Sequence, residues 1–592
     1  MDRTVANHKF LDIVHRCSLK GYPLEGIYRR IQDRDLFLLA YGNLYANKGA
    51  LTPGVDPCDT VEGMSIPRID NIIAKLKSNS YEWTPVRRTY IPKSGGKRPL
   101  GVPSWSDKLL QEVIRMVLEA YYEPRFSDNS HGFRPNQGCH TALNDIYYGW
   151  KGTKWFIEGD IKGCFEHIRH DVILEILARD IKDNRFLKLI RKMLRAGYME
   201  DWQYHRTYSG TPQGGVISPI LSNIVLNELD KFVEEQLLPE YNRGQTRRRN
   251  PEYSRLENQI RKAKSVGHWE RVKELTKERR SVPSGDPNDP NYRRLRYNRY
   301  ADDFILGFAG PRKEAKDIKR RIGDFLSTIG LTMAEEKTLI THAVTGKARY
   351  LGYDITVNLS KNRPSVNYQI KLLVPPEVKQ AWLRKYRKKG KPHHRPELLE
   401  MSDYEIVHIY GAEFRGIVNY YSLTENVSGM FSHVKFVAIR SAVMTLANKH
   451  RTKARSIYAK YYKKSQYGVK ALIVELPNPK NPDKPYRAQL GERPIRWSTK
   501  VVIRDRKWEP RYTRTELIQR LLADTCELCG STKDIRVHHT RKLADLVKRY
   551  KGRRDPPPWV KFMVKRRRKT VVVCLECHLK IHAGTYDGPK VN

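Results

Sequence analysis

Apolar and polar positions along the chain form patterns that predict both strands and helices. Strand-like stretches occupy 155–159 and 304–308. Residues 107–122 instead repeat apolar positions every three or four residues, as a helix with one buried face does. Because such signals continue from about residue 35 to residue 355, the sequence predicts an α+β body over this part of the chain.

A polar segment interrupts this body at 242–291, and within it 255–280 has a helical, highly charged pattern. We interpret the segment as an insertion on the surface. After about residue 375 the pattern becomes helical and basic, until the proline-rich stretch 475–487 ends it. These changes predict a multidomain α+β protein with units at 1–375, 376–474, 475–516 and 517–592.

The charge of the chain indicates its class of partner. Its 592 residues include 110 Lys and Arg against 65 Asp and Glu, a net charge of +45 that favours binding to nucleic acid. A membrane surface is the alternative, but we see no run of about 18 apolar residues and expect no membrane partner. The N-terminal segment lacks an apolar signal core and contains Asp2, Asp12 and Glu25. We therefore expect a cytoplasmic, nucleoid-associated protein, with an organellar origin as the alternative.

The letters YADD at 300–303 place two carboxylates between strand-like runs, which predicts a hairpin with Asp302 and Asp303 at its tip. Alone, this is also the composition of a polar turn. An earlier strand ends in Asp160, however, and nucleotidyl transfer by two Mg²⁺ ions needs carboxylates from separate strands. The sequence therefore predicts that Asp160 and Asp302 bridge two Mg²⁺ ions, with Asp303 beside them.

The order and wording of the motifs resemble those of group II intron reverse transcriptases. Seven segments carry the resemblance: LYANKGALTPGVD (44–56), YIPKSGGKRPLGVPSWSDKLLQ (90–111), HGFRPNQGCHTAL (131–143), GTPQGGVISPILSNIVLNELD (210–230), YADD (300–303), GLTMAEEKT (330–338) and RYLGYDI (349–355). The resemblance implies RNA-directed DNA synthesis from dNTPs.

The same resemblance assigns roles to residues around the aspartates. Lys93 and Arg98, on a fingers hairpin, would bind the triphosphate. Gln213 would line the nucleotide pocket, and Phe165 would exclude a ribose 2′-hydroxyl. Lys337 would donate a proton to the leaving pyrophosphate. The structural alternatives are a turn-capping amide for Gln213, a core aromatic for Phe165 and a surface charge for Lys337.

Segments 409–426 and 449–464 resemble the thumb, or maturase X domain, of the same family. Cations there would follow RNA phosphates, and aromatic rings would stack on unpaired bases of a folded intron RNA. The alternative for the tyrosines is the helix core. The predicted RNA-binding residues are Arg415, Tyr420, Tyr421, Lys449, His450 and Arg451.

Two Cys-x-x-Cys pairs near the C-terminus predict a metal site. In a reducing compartment, Cys526, Cys529, Cys574 and Cys577 supply the four thiolates of a structural Zn²⁺ rather than disulfides.

Histidines around these cysteines make the pattern similar to HNH endonucleases, which have a ββα-metal fold. The resemblance implies that His538, His578 and His582 bind Mg²⁺ or another divalent ion and that His539 is the general base. The chain departs from the pattern at Lys569-Thr570-Val571, where an asparagine is usual. The alternative is a zinc-containing DNA-binding domain that does not cut.

The resemblance as a whole implies a right-hand reverse transcriptase with fingers and palm in 1–375, thumb in 376–474, a basic DNA-binding linker in 475–516 and a nuclease in 517–592. Such a protein would bind its intron RNA, assist splicing, nick target DNA and copy the intron RNA from the new 3′ end. Its oligomeric state stays open, a monomer on the RNA being one arrangement.

Three other classes fit the sequence less well. A viral-type RNA polymerase is disfavoured by Phe165 and the HNH-like tail. A splicing factor with a decayed polymerase is disfavoured by the intact aspartates. A retron or CRISPR-associated enzyme would not carry the thumb motif and this tail together.

Overall fold

Two large hydrophobic cores organise the fold: one joins the N-terminal helices, the palm and the C-terminal domain, and the other lies under the thumb. A computed structural model of the protein describes residues 3–586 except positions 48, 94–95, 202, 208, 211–214, 287, 360–366, 479–480, 482, 484, 500–502, 504–515, 542, 544–545, 547–555 and 567.

The N-terminal part of the chain forms a helical layer and the fingers sheet. Its helices are Arg3–Leu19, Ile27–Arg30, Arg34–Leu44 and Ile66–Lys77. The fingers sheet has four strands, Val86–Lys93, Gly96–Val102, Tyr198–Glu200 and Gln203–His205. The predicted helix at 107–122 is confirmed as Trp105–Tyr122, which begins where the Ser104 side chain accepts a hydrogen bond from the backbone of Asp107.

The palm is a four-stranded antiparallel sheet. In spatial order its strands are Arg294–Tyr300, Asp303–Ala309, Trp155–Asp160 and Ile340–His342. Both predicted strands and the predicted hairpin are therefore confirmed. The helices around the palm are Cys139–Gly149, Cys164–His167, His170–Asp180, Asn184–Arg195, Ser218–Phe232, Leu238–Tyr241 and Arg312–Thr328.

The polar insertion is a pair of helices, Pro251–Ser265 and Trp269–Arg279. The pattern at 255–280 predicts one helical segment, but Gly267 adopts a left-handed φ of 70° that ends the first helix. The pair has a small core of its own, formed by Leu256, Ile260, Ala263, Val272 and Leu275.

The thumb follows a three-stranded sheet of Ala348–Tyr350, Tyr353–Val357 and Ile370–Leu373. Its helices are Pro376–Lys385, Asp403–Tyr420, Val427–Lys449 and Ala454–Tyr461. Among the described helices, Val427–Lys449 alone is long and apolar enough to cross a membrane, and 61% of its apolar window is buried inside the protein. That burial accounts for its composition, because it packs in the second core.

A second three-stranded sheet closes the thumb, with strands Tyr462–Lys464, Lys470–Leu476 and Tyr486–Leu490. Leu472 pairs with Leu490 across it. The proline-rich stretch therefore connects two paired strands, and Ala488 and Leu490 of the second strand are buried in the thumb core, past the predicted boundary at 474. Much of the predicted linker beyond residue 500 lies outside the described residues.

The described C-terminal elements are helices Glu516–Leu522 and Pro558–Arg566, strands Arg536–His539 and Thr570–Val573, and helix Leu575–Ala583. The two strands pair antiparallel and precede the last helix, which is the expected ββα order. This domain packs on the N-terminal layer: the backbone of Val537 bonds to Gly63 and Met64, and the side chains of Val537 and Met64 are buried.

Candidate polymerase and nuclease sites

The palm brings the three predicted aspartates to one cleft. Asp160 ends its strand directly opposite Asp303, and Asp302 lies in the adjoining hairpin turn. The cleft has a volume of about 1170 Å³ and opens towards the fingers hairpin. The described residues of the cleft that sequence analysis predicted are Arg98, Asp160, Phe165, Asp302, Asp303 and Lys337.

The charges of this cleft favour a bound cation. Burial and the nearby charge of Asp160 raise the pKa of Asp302, against the opposing effects of Arg98 and Lys337. The Lys337 ammonium donates a hydrogen bond to Asp160. Three carboxylates in one cleft are the oxygen donors that Mg²⁺ prefers, so the residues fit the predicted ion.

The tip of the hairpin is held in an uncommon backbone conformation. Ala301 has a positive φ of 55°, a backbone conformation that residues other than glycine rarely adopt. Gly132 packs against this turn so closely that a Cβ there would lie 2.4 Å from the Ala301 nitrogen. Only glycine therefore fits at position 132 of the HGF motif without moving the aspartates.

A buried ion pair also holds the turn. Arg299 and Asp230 are both fully buried, and the guanidinium donates to both carboxylate oxygens at 2.7 and 2.5 Å. The same guanidinium donates to the carbonyl of Ala301 at 2.9 Å. Sequence analysis missed this pair, although opposite charges inside two apolar segments are a usable signal because neither is stable alone in a core.

The other predicted residues of the cleft lie around the aspartates. Arg98 is exposed on the fingers hairpin, opposite Ile91. The Phe165 ring is partly buried and contacts Phe133 edge to face, with centroids 6.3 Å apart. The side chain of Lys93 and the whole of Gln213 lie outside the described residues.

The predicted RNA-binding tyrosines connect the thumb to the three-stranded sheet that precedes it. The hydroxyls of Tyr420 and Tyr421 donate to the carbonyls of Leu351 and Gly352 at 2.8 and 3.0 Å. Tyr421 is 5% exposed, so its ring cannot stack on an RNA base in this conformation. Arg415 donates to the Gln489 carbonyl at 2.9 Å and thereby holds the thumb sheet.

Most of the predicted basic cluster is already paired. Lys449 and His450 contact Asp403 at 2.6 and 2.8 Å. Burial raises the pKa of Asp403, but hydrogen bonds from Lys449, Tyr461 and His450 lower it to about 2. Arg451 is exposed beyond this cluster, at a positive φ of 51°.

The two cysteine pairs meet as predicted. The sulfurs of Cys526, Cys529, Cys574 and Cys577 lie within 4.8 Å of one another. The Cys529 and Cys574 sulfurs are 3.7 Å apart, close to the separation of roughly 3.8 Å that a tetrahedral zinc–sulfur site requires. The four thiols therefore fit a structural Zn²⁺.

The three predicted nuclease histidines also meet, and a carboxylate from elsewhere joins them. His538, His578 and His582 place ring nitrogens 2.8, 2.6 and 3.2 Å from Oε1 of Glu62. Burial raises the pKa of Glu62, but hydrogen bonds from His538 and His578 bring it well below its usual range. Sequence analysis missed Glu62, because it precedes the histidines by more than 470 positions.

His539 lies beside this cluster and is buried. Its Nε2 is 3.1 Å from the hydroxyl of Tyr41, and its Nδ1 has no hydrogen-bond partner among the described residues. Burial lowers the pKa of His539 to about 4, against the opposing charge of Glu62. Thr570, within the Lys569-Thr570-Val571 segment that departs from the HNH pattern, pairs with His539 in the strands, and its hydroxyl accepts a hydrogen bond from Arg520.

Comparison with known families matches three parts of the chain. Residues 91–355 match "Reverse transcriptase (RNA-dependent DNA polymerase)", residues 361–478 match "Type II intron maturase", and residues 526–578 match "AI2M/AI1M-like, HNH endonuclease".

Three relatives matched over more than 90% of this chain are also described as intron proteins. The chain is 38% identical to "Group II intron-encoded protein LtrA" of Lactococcus lactis subsp. cremoris, covering 93% of this chain and 94% of that protein. It is 36% identical to "Uncharacterized 91 kDa protein in cob intron" of Schizosaccharomyces pombe, covering 95% and 71%. It is 33% identical to "Putative COX1/OXI3 intron 1 protein" of Saccharomyces cerevisiae, covering 94% and 69%.

Proposed function

Because the chain belongs to the group II intron-encoded proteins and carries reverse transcriptase, maturase and HNH endonuclease domains, we propose a role for each set of site residues in splicing and retrohoming. The protein is an RNA-directed DNA polymerase and a nuclease. On intron RNA it assists splicing. On target DNA it nicks one strand and copies the intron RNA from the new 3′ end, while the intron RNA cuts the other strand.

In the polymerase cleft, Asp160 and Asp302 would hold two Mg²⁺ ions, with Asp303 as a further oxygen donor. Bound Mg²⁺ supplies charge stabilisation for the attacking and leaving oxygens. Arg98 and Lys93 bind the triphosphate of the incoming dNTP, and Gln213 lines its pocket. Phe165 fills the space of a ribose 2′-hydroxyl and so selects deoxynucleotides.

Lys337 would donate a proton to the leaving pyrophosphate. Its ammonium donates a hydrogen bond to Asp160, a carboxylate that would hold the ions. For the proton transfer, the side chain would turn from Asp160 towards the pyrophosphate. The side chain is 61% exposed, so this reorientation meets little steric resistance.

Fewer of the predicted thumb residues can contact RNA directly than the sequence motif suggests. Arg451 is exposed and can contact phosphates directly. Lys449 and His450 remain candidates, but RNA phosphates would compete with Asp403 for their side chains. Arg415 positions this surface through its contact with the thumb sheet, and Tyr420 and Tyr421 do so through the three-stranded sheet that precedes the thumb.

In the C-terminal domain, the four cysteines would hold a structural Zn²⁺, and His538, His578 and His582 would hold the Mg²⁺ or other divalent ion of the nuclease. His539 would be the general base that takes a proton from the attacking water. The departure from the HNH pattern at 569–571 favours a second candidate, a tail that binds DNA without cutting. Divalent-dependent nicking by the protein on its intron RNA distinguishes the two.

One observation carries the polymerase proposal: Asp160 and Asp303 are directly opposed, with Asp302 in the same cleft. We expect Asp302→Ala to abolish Mg²⁺-dependent cDNA synthesis on a supplied primer, since the metal loses a bridging ligand. Binding and splicing of intron RNA should stay near wild type.

The matched control for this variant is Asp324→Ala, which removes an exposed carboxylate paired only with Arg320 among the described contacts. It should extend primers at the wild-type rate. Extension by Asp302→Ala at that rate would show that the metal ligands are misassigned.

A further inference from the structure

The environment of Glu62 is unusual for a surface ion pair. The residue lies in the turn before helix Ile66–Lys77, and its side chain is 20% exposed. A single oxygen, Oε1, lies within 2.6–3.2 Å of nitrogens from three imidazoles. A carboxylate oxygen has about two lone-pair sites, so three N–H donors exceed what it can accept.

A cation resolves this crowding. In tetrahedral coordination with bonds of about 2.1 Å, neighbouring ligand atoms lie roughly 3.4 Å apart. The three contacts of Oε1, at 2.6, 2.8 and 3.2 Å, are shorter than that by about 0.8, 0.6 and 0.2 Å, and all four ligand atoms lie within 4.8 Å of one another. Three imidazole nitrogens and one carboxylate oxygen thus surround a space that an outward shift of these side chains by less than about 1 Å would open to a divalent ion.

The position of Glu62 is fixed independently of the histidine side chains. Its second oxygen, Oε2, accepts a hydrogen bond of 2.8 Å from the backbone nitrogen of His539. Next to it, the Gly63 nitrogen donates to Val537, and the Val537 nitrogen donates to Met64. Met64 and Val537 form this short antiparallel bridge and are buried. The bridge places the carboxylate of Glu62 beside the histidines.

The N-terminal layer also contacts His539, the proposed general base of the nuclease. The Tyr41 hydroxyl contacts Nε2 of His539, and Tyr41 is fully buried in the N-terminal layer. This contact leaves Nδ1 of His539 as the free nitrogen, 3.9 Å from Oε2 of Glu62. Two side chains of the N-terminal layer therefore contact the nuclease residues directly.

We propose that Glu62 is the fourth protein ligand of the nuclease divalent ion, so that the site is complete only when the C-terminal domain is docked on the N-terminal layer. This inference rests on the proposed nuclease function of the three histidines. It makes the nuclease a composite site, assembled from the two ends of the chain.

The test is Mn²⁺ binding to the full-length protein, measured by electron paramagnetic resonance and calorimetry. All variants carry Asp160→Ala and Asp302→Ala, which removes the polymerase ions from the signal. Glu62→Gln keeps the shape and hydrogen-bonding capacity of the side chain but is a poor cation ligand. We expect it to weaken Mn²⁺ binding by at least about 10-fold, as losses around metal sites typically do.

The matched control is Asp70→Asn, which removes one negative charge from the same region, where Asp70 pairs with Arg34. It should bind Mn²⁺ as tightly as the parent protein. Hydrogen exchange at strand Arg536–His539 checks that Glu62→Gln remains docked. Weak binding by a docked Glu62→Gln protein supports the inference.

The alternatives give distinct results. If Glu62→Gln binds Mn²⁺ as tightly as the parent while His578→Ala does not, the three histidines bind the ion and Glu62 is not its fourth ligand. Tighter binding by Glu62→Gln would mean that Glu62 occupies the place of the ion, which also overturns the inference. If His578→Ala has no effect either, the proposed nuclease metal site itself fails.

Discussion

At the scale of single residues, the ion pair between Arg299 and Asp230 controls the geometry of the polymerase turn. The guanidinium is fully buried and donates to the carbonyl of Ala301, immediately before the proposed catalytic aspartates. The pair therefore contacts the turn that positions the proposed metal ligands.

We expect Asp230→Asn to leave the Arg299 charge uncompensated and to destabilise the palm by about 3–5 kcal/mol. Native-state hydrogen exchange in strands Arg294–Tyr300 and Asp303–Ala309 measures this loss locally. The exposed control Asp324→Asn should change stability by no more than about 0.5 kcal/mol. Equal protection in the two variants would contradict a structural role for the buried pair.

Some residue contacts could be predicted from the sequence and others could not. The aspartates, cysteines and histidines occur in short motifs whose spacing reflects their chemistry, so the structure places each set together. Glu62 and Tyr41 carry no such motif. They contact the proposed nuclease histidines only because the N-terminal layer and the C-terminal domain pack together. A local sequence pattern does not predict packing between segments so far apart in the chain.

At the scale of elements, periodicity predicts the palm strands and the helix Trp105–Tyr122, because burial of one face is a local property of the sequence. It fails at the thumb sheet, where strands Lys470–Leu476 and Tyr486–Leu490 pair on either side of a proline-rich connection. Prolines mark the end of a strand but do not show whether the next segment returns to pair with it.

We propose that the folding of the ββα element depends on zinc bound at its four cysteines. Cys529→Ala should lose Zn²⁺ and unfold the C-terminal domain, because binding energy at a structural zinc is also folding energy. Metal analysis should show the loss of zinc, and nicking should disappear. Extension of a supplied primer should continue, since the polymerase cleft lies in the palm. Full nicking by zinc-free Cys529→Ala protein would contradict this account.

At the scale of the whole molecule, the net charge of +45 predicts strong and salt-dependent RNA binding. The affinity should fall as salt rises, with a slope of log affinity against log salt that reports the number of neutralised phosphates. A filter-binding or fluorescence titration with intron RNA measures this slope.

A specific component should remain, because a folded intron RNA presents a shape as well as charge to the protein. At about 0.15 M salt, intron RNA should therefore outcompete an unrelated structured RNA of equal length. Equal affinities for the two RNAs would contradict specific recognition by the maturase surface.

One chain should couple DNA nicking to reverse transcription, and target-primed cDNA synthesis on intact DNA measures this coupling. With its intron RNA bound, the wild-type protein should nick the target and join cDNA to the new 3′ end. Asp302→Ala should nick without making cDNA. His539→Ala should reduce nicking on the order of 100-fold or more and make almost no cDNA on intact DNA, yet copy normally from a pre-nicked target. Wild-type cDNA yields from intact DNA by His539→Ala would contradict the account.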